Sequence, residues 1–451
     1  MAVLVAVAAL GVGLALLVTR VLLPGDDTAA PRPTATGHPT PTGDAHLSAS
    51  ASPTISTSTP SGTPDAARTA AVTALLARRA GAVTAHDRAG FLATVDPAQT
   101  GFYAAQQRLY DRLQDVDLAS WTYQVEGSGP GLPPNRAVAL PSESAILRVR
   151  LTYELAGTQT QTDREQYLTV VPVDGGGWLL AGDTDGASSS LNTERDLWDL
   201  GPVREVRGDQ SVVVADPRGA TREEMRHLAD EGDLAVRDVD DIWTGRWPKE
   251  PVIVLPRSQA DMATLIESDG AGLGQIAAVT TGAFESGVSR GDRIVINPTT
   301  WDSLGGLGRR IVLTHEMTHV ATRATTVQPA PIWLSEGFAD YVAYKAAPVP
   351  TSVVAEDILT QVRHGKTPKA LPDDADFDAA RGSISTSYEG AWLACRMIAE
   401  RYGQKQLVKM YADLTDSAGP GWPAELPDEL GVTQQRFVHD WRAYLRAKAA
   451  E

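Results

Sequence analysis

The sequence predicts an α+β protein with two folded segments after a long unstructured start, and three patterns predict it. Residues 65–186 carry helical spacing first and strand-like runs after it. Residues 203–296 mix strand-like runs with helical stretches, and from Gly306 the pattern is helical nearly to the end. With 451 residues, 43% of them apolar, the chain has material for two or three ordinary cores. The divisions expected are 1–23, 24–64, 65–200 and 201–451.

Residues 1–19 hold no charged side chain, and Val, Leu and Ala dominate them. With Arg20 and the run to Leu23, this stretch is long enough to cross about 30 Å of hydrocarbon as a helix. It lacks the basic start and small-residue cleavage site of a signal peptide, so residues 1–23 are read as a retained, single-pass membrane anchor. Residues 24–64 are Pro, Thr, Ser, Ala and Gly with almost nothing to bury, which is the composition of a disordered stalk. Anchor and stalk together place the rest of the chain outside the cytoplasm. A net charge of -16 argues against a nucleic-acid partner, which requires a basic face. The one cysteine, Cys395, excludes an intramolecular disulfide, and its apolar surroundings predict a buried, inert thiol.

In residues 65–200, Ala71, Val72, Leu75, Leu76 and Val83 recur at helical spacing, and a second helix is expected over 101–113. Strand-like runs follow at 121–125, 144–153, 165–171 and 178–181. Helices and then an antiparallel meander suggest a sheet with helices on one face. By topology this segment resembles the cystatin-like folds or the cone fold of nuclear transport factors.

In residues 201–451, strands are expected at 210–215, 252–255, 276–280 and 293–296, with helices over 222–242 and 258–266. Residues 293–296 are the candidate edge strand for pairing with an extended peptide. The informative residues are His315-Glu316-Met317-Thr318-His319, inside a run that scans as an amphipathic helix. Positions four apart share a helix face, so both imidazoles can reach one metal. Glu316, rotated by about 100°, sits beside that metal as a candidate base. Catalytic zinc takes three protein ligands. Glu336, in Trp333-Leu334-Ser335-Glu336-Gly337 at the start of the next helical pattern, is the candidate third. Asp340, one turn on, can fix the tautomer of a liganding histidine.

These residues resemble the gluzincins of the peptidase MA clan, which pair a His-Glu-x-x-His helix with a Glu-Gly-x-Ala helix. The resemblance extends to Ser387-Tyr388-Glu389-Gly390-Ala391 and Glu400-Arg401-Tyr402-Gly403. It implies a thermolysin-like, two-lobed metallopeptidase domain, a sheet-containing lobe followed by a helical one. It implies Zn2+ bound by His315, His319 and Glu336, Glu316 as base, and Tyr388 stabilising the oxyanion. One departure concerns the strand by which aminopeptidases of the clan hold a substrate amine: Gly282-Ala283-Phe284-Glu285-Ser286 only half matches it.

The expected chemistry is metal-assisted amide hydrolysis of a peptide or protein substrate, in which Glu316 takes a proton from the attacking water and passes it to the leaving amine. An endopeptidase is the leading expectation. Two alternatives stand beside it: an aminopeptidase, and a zinc-binding surface scaffold without turnover. For the remaining candidates the plainer readings lead: His364 and His439 facing solvent, and Asp373, Asp374, Asp376 and Asp378 forming a solvated loop rather than a calcium site.

Overall fold

The computed structural model describes residues 64–285, 288–378, 384–416, 422–424 and 426–451. The expected anchor, and the stalk up to residue 63, lie outside the described residues. Among the described residues no helix is long and apolar enough to cross a membrane.

The protein is mixed α+β. Helix α1 (Pro64–Thr84) buries Val72, Leu75, Leu76 and Val83, the stripe its spacing predicts. The first three pack with Leu147, Val149, Leu168, Val170 and Leu180 of the sheet. Helix α2 (Thr100–Leu113) follows. Strands β1 (Leu118–Ser128), β2 (Ala145–Leu155), β3 (Gln161–Val173) and β4 (Gly177–Gly182) then form an antiparallel meander in chain order. Every strand-like run of that segment is thus a strand, and three of the four are longer at both ends than the apolar signal because hydrogen bonding continues past the buried residues.

The second sheet has the order β5 (Arg204–Arg207), β6 (Val212–Ala215), β7 (Val252–Leu255), β9 (Val288–Ile296), β8 (Ala278–Glu285). Strands β6, β7 and β9 are parallel, while β5 and β8 run antiparallel to their neighbours. This corrects the sequence-based edge assignment. Residues 293–296 pair with β7 on one side and β8 on the other, and the edge belongs to β8. Residues 294–296 of β9 read as uninterrupted Ile and Val because the strand is interior there, and an interior strand is apolar on both faces.

Helix α3 (Arg222–Asp240) is started by a capping box between Thr221 and Glu224 and buries its apolar face, including Met225, Leu228 and Val236. Helix α4 (Gly306–Arg323) packs against α3 and β8. Arg310 clamps it to α3 through both oxygens of Asp238, at 2.7 and 2.8 Å. Next come α5 (Ile332–Ala346), α6 (Glu356–Arg363), α7 (Ser385–Tyr402), α8 (Gln404–Asp416) and α9 (Gln434–Ala450). Cys395 is fully buried in α7, and burial raises its thiol pKa well above the ordinary value. His364 and His439 are exposed, as expected.

The two sheets meet at Asp196. Its Oδ1 accepts from Tyr153 of β2 at 3.0 Å and Arg164 of β3 at 3.1 Å, and also from Arg293 of β9. Asp196 also starts a short helix, 197–200, in which the Asp199 carboxylate accepts from the Asp196 N–H at 2.8 Å. Burial, with Asp196 close by, pushes the Asp199 pKa up to about 7. A carboxyl whose folded pKa is raised keeps its proton in the native state while the unfolded chain loses it. Its stabilising contribution is therefore complete below about pH 4 and lost as pH rises to 7. Asp199→Asn keeps the acceptor oxygen without the charge. It should melt roughly 2–5 °C above the wild type at pH 8 and with it at pH 4, by calorimetry; equal melting at both pH values would show that Asp199 carries no such penalty.

Candidate metal centre

Helix α4 owes its burial to threonine as much as to apolar residues. Thr318, Thr322 and Thr326 donate to the carbonyls of Thr314, Thr318 and Thr322 at 2.7, 2.9 and 2.9 Å. The hydroxyls of Thr318 and Thr322 are satisfied within the helix and that of Thr326, just past its end, on its last turn, so a polar helix can pass through the core and carry His315, Glu316 and His319 inside. All three are at most 2% exposed.

Helix α5 brings Glu336, fully buried, to the same point. Its first turn is held by Asp374, whose Oδ1 accepts from the Ile332 N–H at 3.3 Å. The acidic stretch is thus not only a solvated loop: Asp373 and Asp376 cap each other in a 3₁₀ turn, and Asp374 caps the Glu336 helix. Gly337 lets α7 come close. A Cβ there would lie 2.4 Å from the Ala391 carbonyl oxygen and 3.0 Å from Cys395 Sγ. The glycine of the Glu-Gly pair is a packing requirement between α5 and α7.

The geometry of the cluster is specific. His315 Nε2 and His319 Nε2 are 3.1 Å apart, and they lie 3.4 and 3.5 Å from the two oxygens of Glu336. For bonds of about 2.05 Å, the edge of a tetrahedron around zinc is about 3.3 Å. Both Glu336 oxygens are buried without a hydrogen-bond partner. A buried carboxylate left so is costly, and a cation at the centre of the three ligand atoms relieves it. His315 Nδ1 donates to Asp340 Oδ1 at 2.8 Å, which leaves the Nε2 lone pair facing inward. The residues present fit zinc.

The charges agree with the geometry. Burial acts to lower the pKa of His315, but Asp340 and Glu336 outweigh it and the net shift is well upward. Burial acts to raise that of Glu336, but His319 and His315 prevail and pull it down to about 2. A proton and a metal therefore compete for the same inward lone pairs.

Glu316 is held by a residue with no sequence signal. Thr280 of β8 reaches its Oε2 at 2.8 Å, while its Oε1 is buried without a hydrogen-bond partner. Residues 276–280 read as a strand, but which side chain faces α4 depends on pairing with β9. Burial raises the Glu316 pKa. Tyr388 of α7 is 2% exposed. Burial, with Glu336, Asp340 and Glu316 nearby, pushes its phenol well above the ordinary value. Glu285 has its backbone in β8, but its side chain lies outside the described residues.

A cavity of about 2030 Å³ opens onto His319, Glu336 and Tyr388. Its opposite wall is the first sheet, including Glu126, Arg148 and Tyr167. The sequence contains no local trace of this juxtaposition.

No protein-family model matches the chain, and no curated protein matches it. Among solved structures, it is similar to a point mutant of an M1 zinc metallopeptidase from Deinococcus radiodurans, with 15% sequence identity and a TM-score of 0.32. The match covers 72% of this chain and 71% of that one. The metal assignment rests on the site's own geometry.

Two substitutions probe the supports of the site. Asp340→Ala should weaken zinc binding about 10–100-fold in a chelator competition, with one ion still bound at saturation. Gly337→Ala should cost about 1–3 kcal/mol in denaturant unfolding, because α5 and α7 must separate. It should also weaken zinc binding, since Glu336 is the adjacent residue; unchanged affinity would show that the helices yield elsewhere.

Proposed function

We propose that the chain is a zinc metallopeptidase of the gluzincin type, an endopeptidase, tethered by residues 1–23 and acting on peptide or protein substrates outside the cytoplasmic membrane. The observation that carries this is the buried His315, His319 and Glu336 set at tetrahedral spacing, beside a Glu316 with one oxygen free. The thermolysin-like, two-lobed arrangement and the division at residues 200 and 201 belong to the same proposal. The order of a mixed sheet, then α4 with the histidines, then helices supports it.

Zinc held by these residues supplies a water acidified toward neutral pH and a polarised carbonyl at the bond to be cut. Glu316 does the proton transfers. Thr280 holds Oε2, so Oε1 is positioned to take the proton of the attacking water and return it to the leaving amine. Tyr388 stays protonated because its phenol pKa is raised, and it is assigned as the donor to the developing oxyanion. The cavity exceeds the roughly 300–1,000 Å³ of small-molecule pockets, which favours a polypeptide segment over a single residue.

The full-length chain in detergent should bind one zinc and cleave casein. Glu316→Gln should keep the zinc and lose cleavage by roughly 10²–10⁴-fold. Zinc without cleavage of casein or of a peptide library would favour a non-hydrolytic scaffold, and no zinc at all would sink the proposal.

A further inference from the structure

The cavity wall between the two sheets contains a charge pattern that the catalytic reading does not use. Arg164 and Arg293 both line the cavity, yet their side chains are only 8% and 7% exposed. They share one carboxylate oxygen, Oδ1 of Asp196, which also accepts from Tyr153. Arg164 spends a further N–H on the Asp163 carbonyl at 2.8 Å. Nε of Arg293 is buried and has no hydrogen-bond partner.

Other carboxylates of this wall have separate engagements. Glu126 and Asp163 are paired with Arg150, and Glu165 with Arg148. Glu194 accepts from the Glu165 N–H at 2.8 Å. Two buried guanidiniums therefore share one carboxylate oxygen, with the Glu194 charge also acting on both, and the Arg293 Nε–H is the donor left over.

Position ties this wall to the site. Arg293 stands directly across the β8–β9 ladder from Thr281, and Thr281 follows the Thr280 that holds Glu316. Side chains alternate along a strand, so Arg293 faces the first sheet rather than α4. Thr281 and Gly282 of edge strand β8 line the same cavity. A peptide crossing the metal centre and continuing along this wall brings a group some residues from the cut bond onto Arg293.

We propose that Arg293 and Arg164 form a carboxylate-binding subsite of the cleft, which receives either the C-terminal carboxylate of the substrate or an Asp or Glu side chain. The inference rests on the peptidase reading and extends it to substrate preference. In it, the first sheet is part of the substrate site rather than a spacer. The incoming carboxylate accepts from the Arg293 Nε–H, the donor that has no partner within the protein. Charge-assisted bonds of this kind are the strong ones.

The test uses the zinc-loaded, full-length Glu316→Gln protein, which should bind peptides without cutting them. Fluorescent peptides of one sequence are titrated in four forms: C-terminal acid or amide, combined with an internal Asp or Asn. Binding should be roughly 10-fold or more tighter where the right carboxylate is present. Whether the acid/amide or the Asp/Asn pair shows the difference identifies the source. Adding Arg293→Gln should abolish that difference while leaving the amide, Asn peptide bound as before. Arg293→Lys, which keeps the cation and the link to Asp196, should retain only part of it. Equal binding of all four forms by the Glu316→Gln protein overturns the subsite and needs no further variant. Equal weakening of all four by Arg293→Gln also overturns it, leaving Arg293 as a strut between the sheets. If no peptide binds, the peptidase reading falls and the subsite with it.

Discussion

Two imidazole nitrogens and a carboxylate face one another among buried side chains at the end of the cleft, and a positive charge between them is what makes that arrangement favourable. Without one, lone pairs oppose lone pairs across 3.1–3.5 Å, and both oxygens of Glu336 go unpaired. Much of the helical part of the chain serves to hold those atoms there. Thr318, Thr322 and Thr326 let α4 be polar and buried. Gly337 lets α7 press on α5, and Asp340 orients His315. The helices hold the three candidate ligand atoms within reach of one ion, which limits the reorganisation that binding requires.

The second constraint is the junction at Asp196. A buried ion pair is poor evidence of stability, since desolvation offsets much of the attraction. What this one does is set geometry: Tyr153, Arg164 and Arg293, from three strands in two sheets, must all reach a single oxygen. These contacts lie where the first sheet, whose polar side chains face the cavity containing His319 and Glu336, meets β9. The two constraints act on opposite sides of β8, whose Thr280 touches Glu316 and whose Thr281 lies across from Arg293.

Much of the fold was legible because its signals are periodic and local. The stripe of α1 and the four strands of the meander came from apolar spacing, and the ends differed only by a few residues. Strand β5 was missed: Arg204-Glu205-Val206-Arg207 buries a single side chain and owes its conformation to pairing with β6. The edge assignment was misplaced for a related reason. An apolar run such as Arg293 to Ile296 says that a strand is buried, not which neighbours bury it. The acidic stretch at 373–378 has the composition of a solvated loop, and only the arrival of α5 beside it turns Asp374 into a cap.

The candidate metal-ligand set is readable in the sequence, since His315 and His319 share a helix face by spacing alone. Glu336 and Asp340 follow with the same regularity on the next helix, and all four meet in the structure. Tertiary structure alone decided what surrounds that set: Thr280 on Glu316, the helix contact at Gly337, and the first sheet as the far wall of the cleft. The physical reason is range. Helical periodicity is written within a few residues, whereas a side chain's partner across a sheet or between two sheets depends on strand order, register and docking. No local stretch of the chain encodes those.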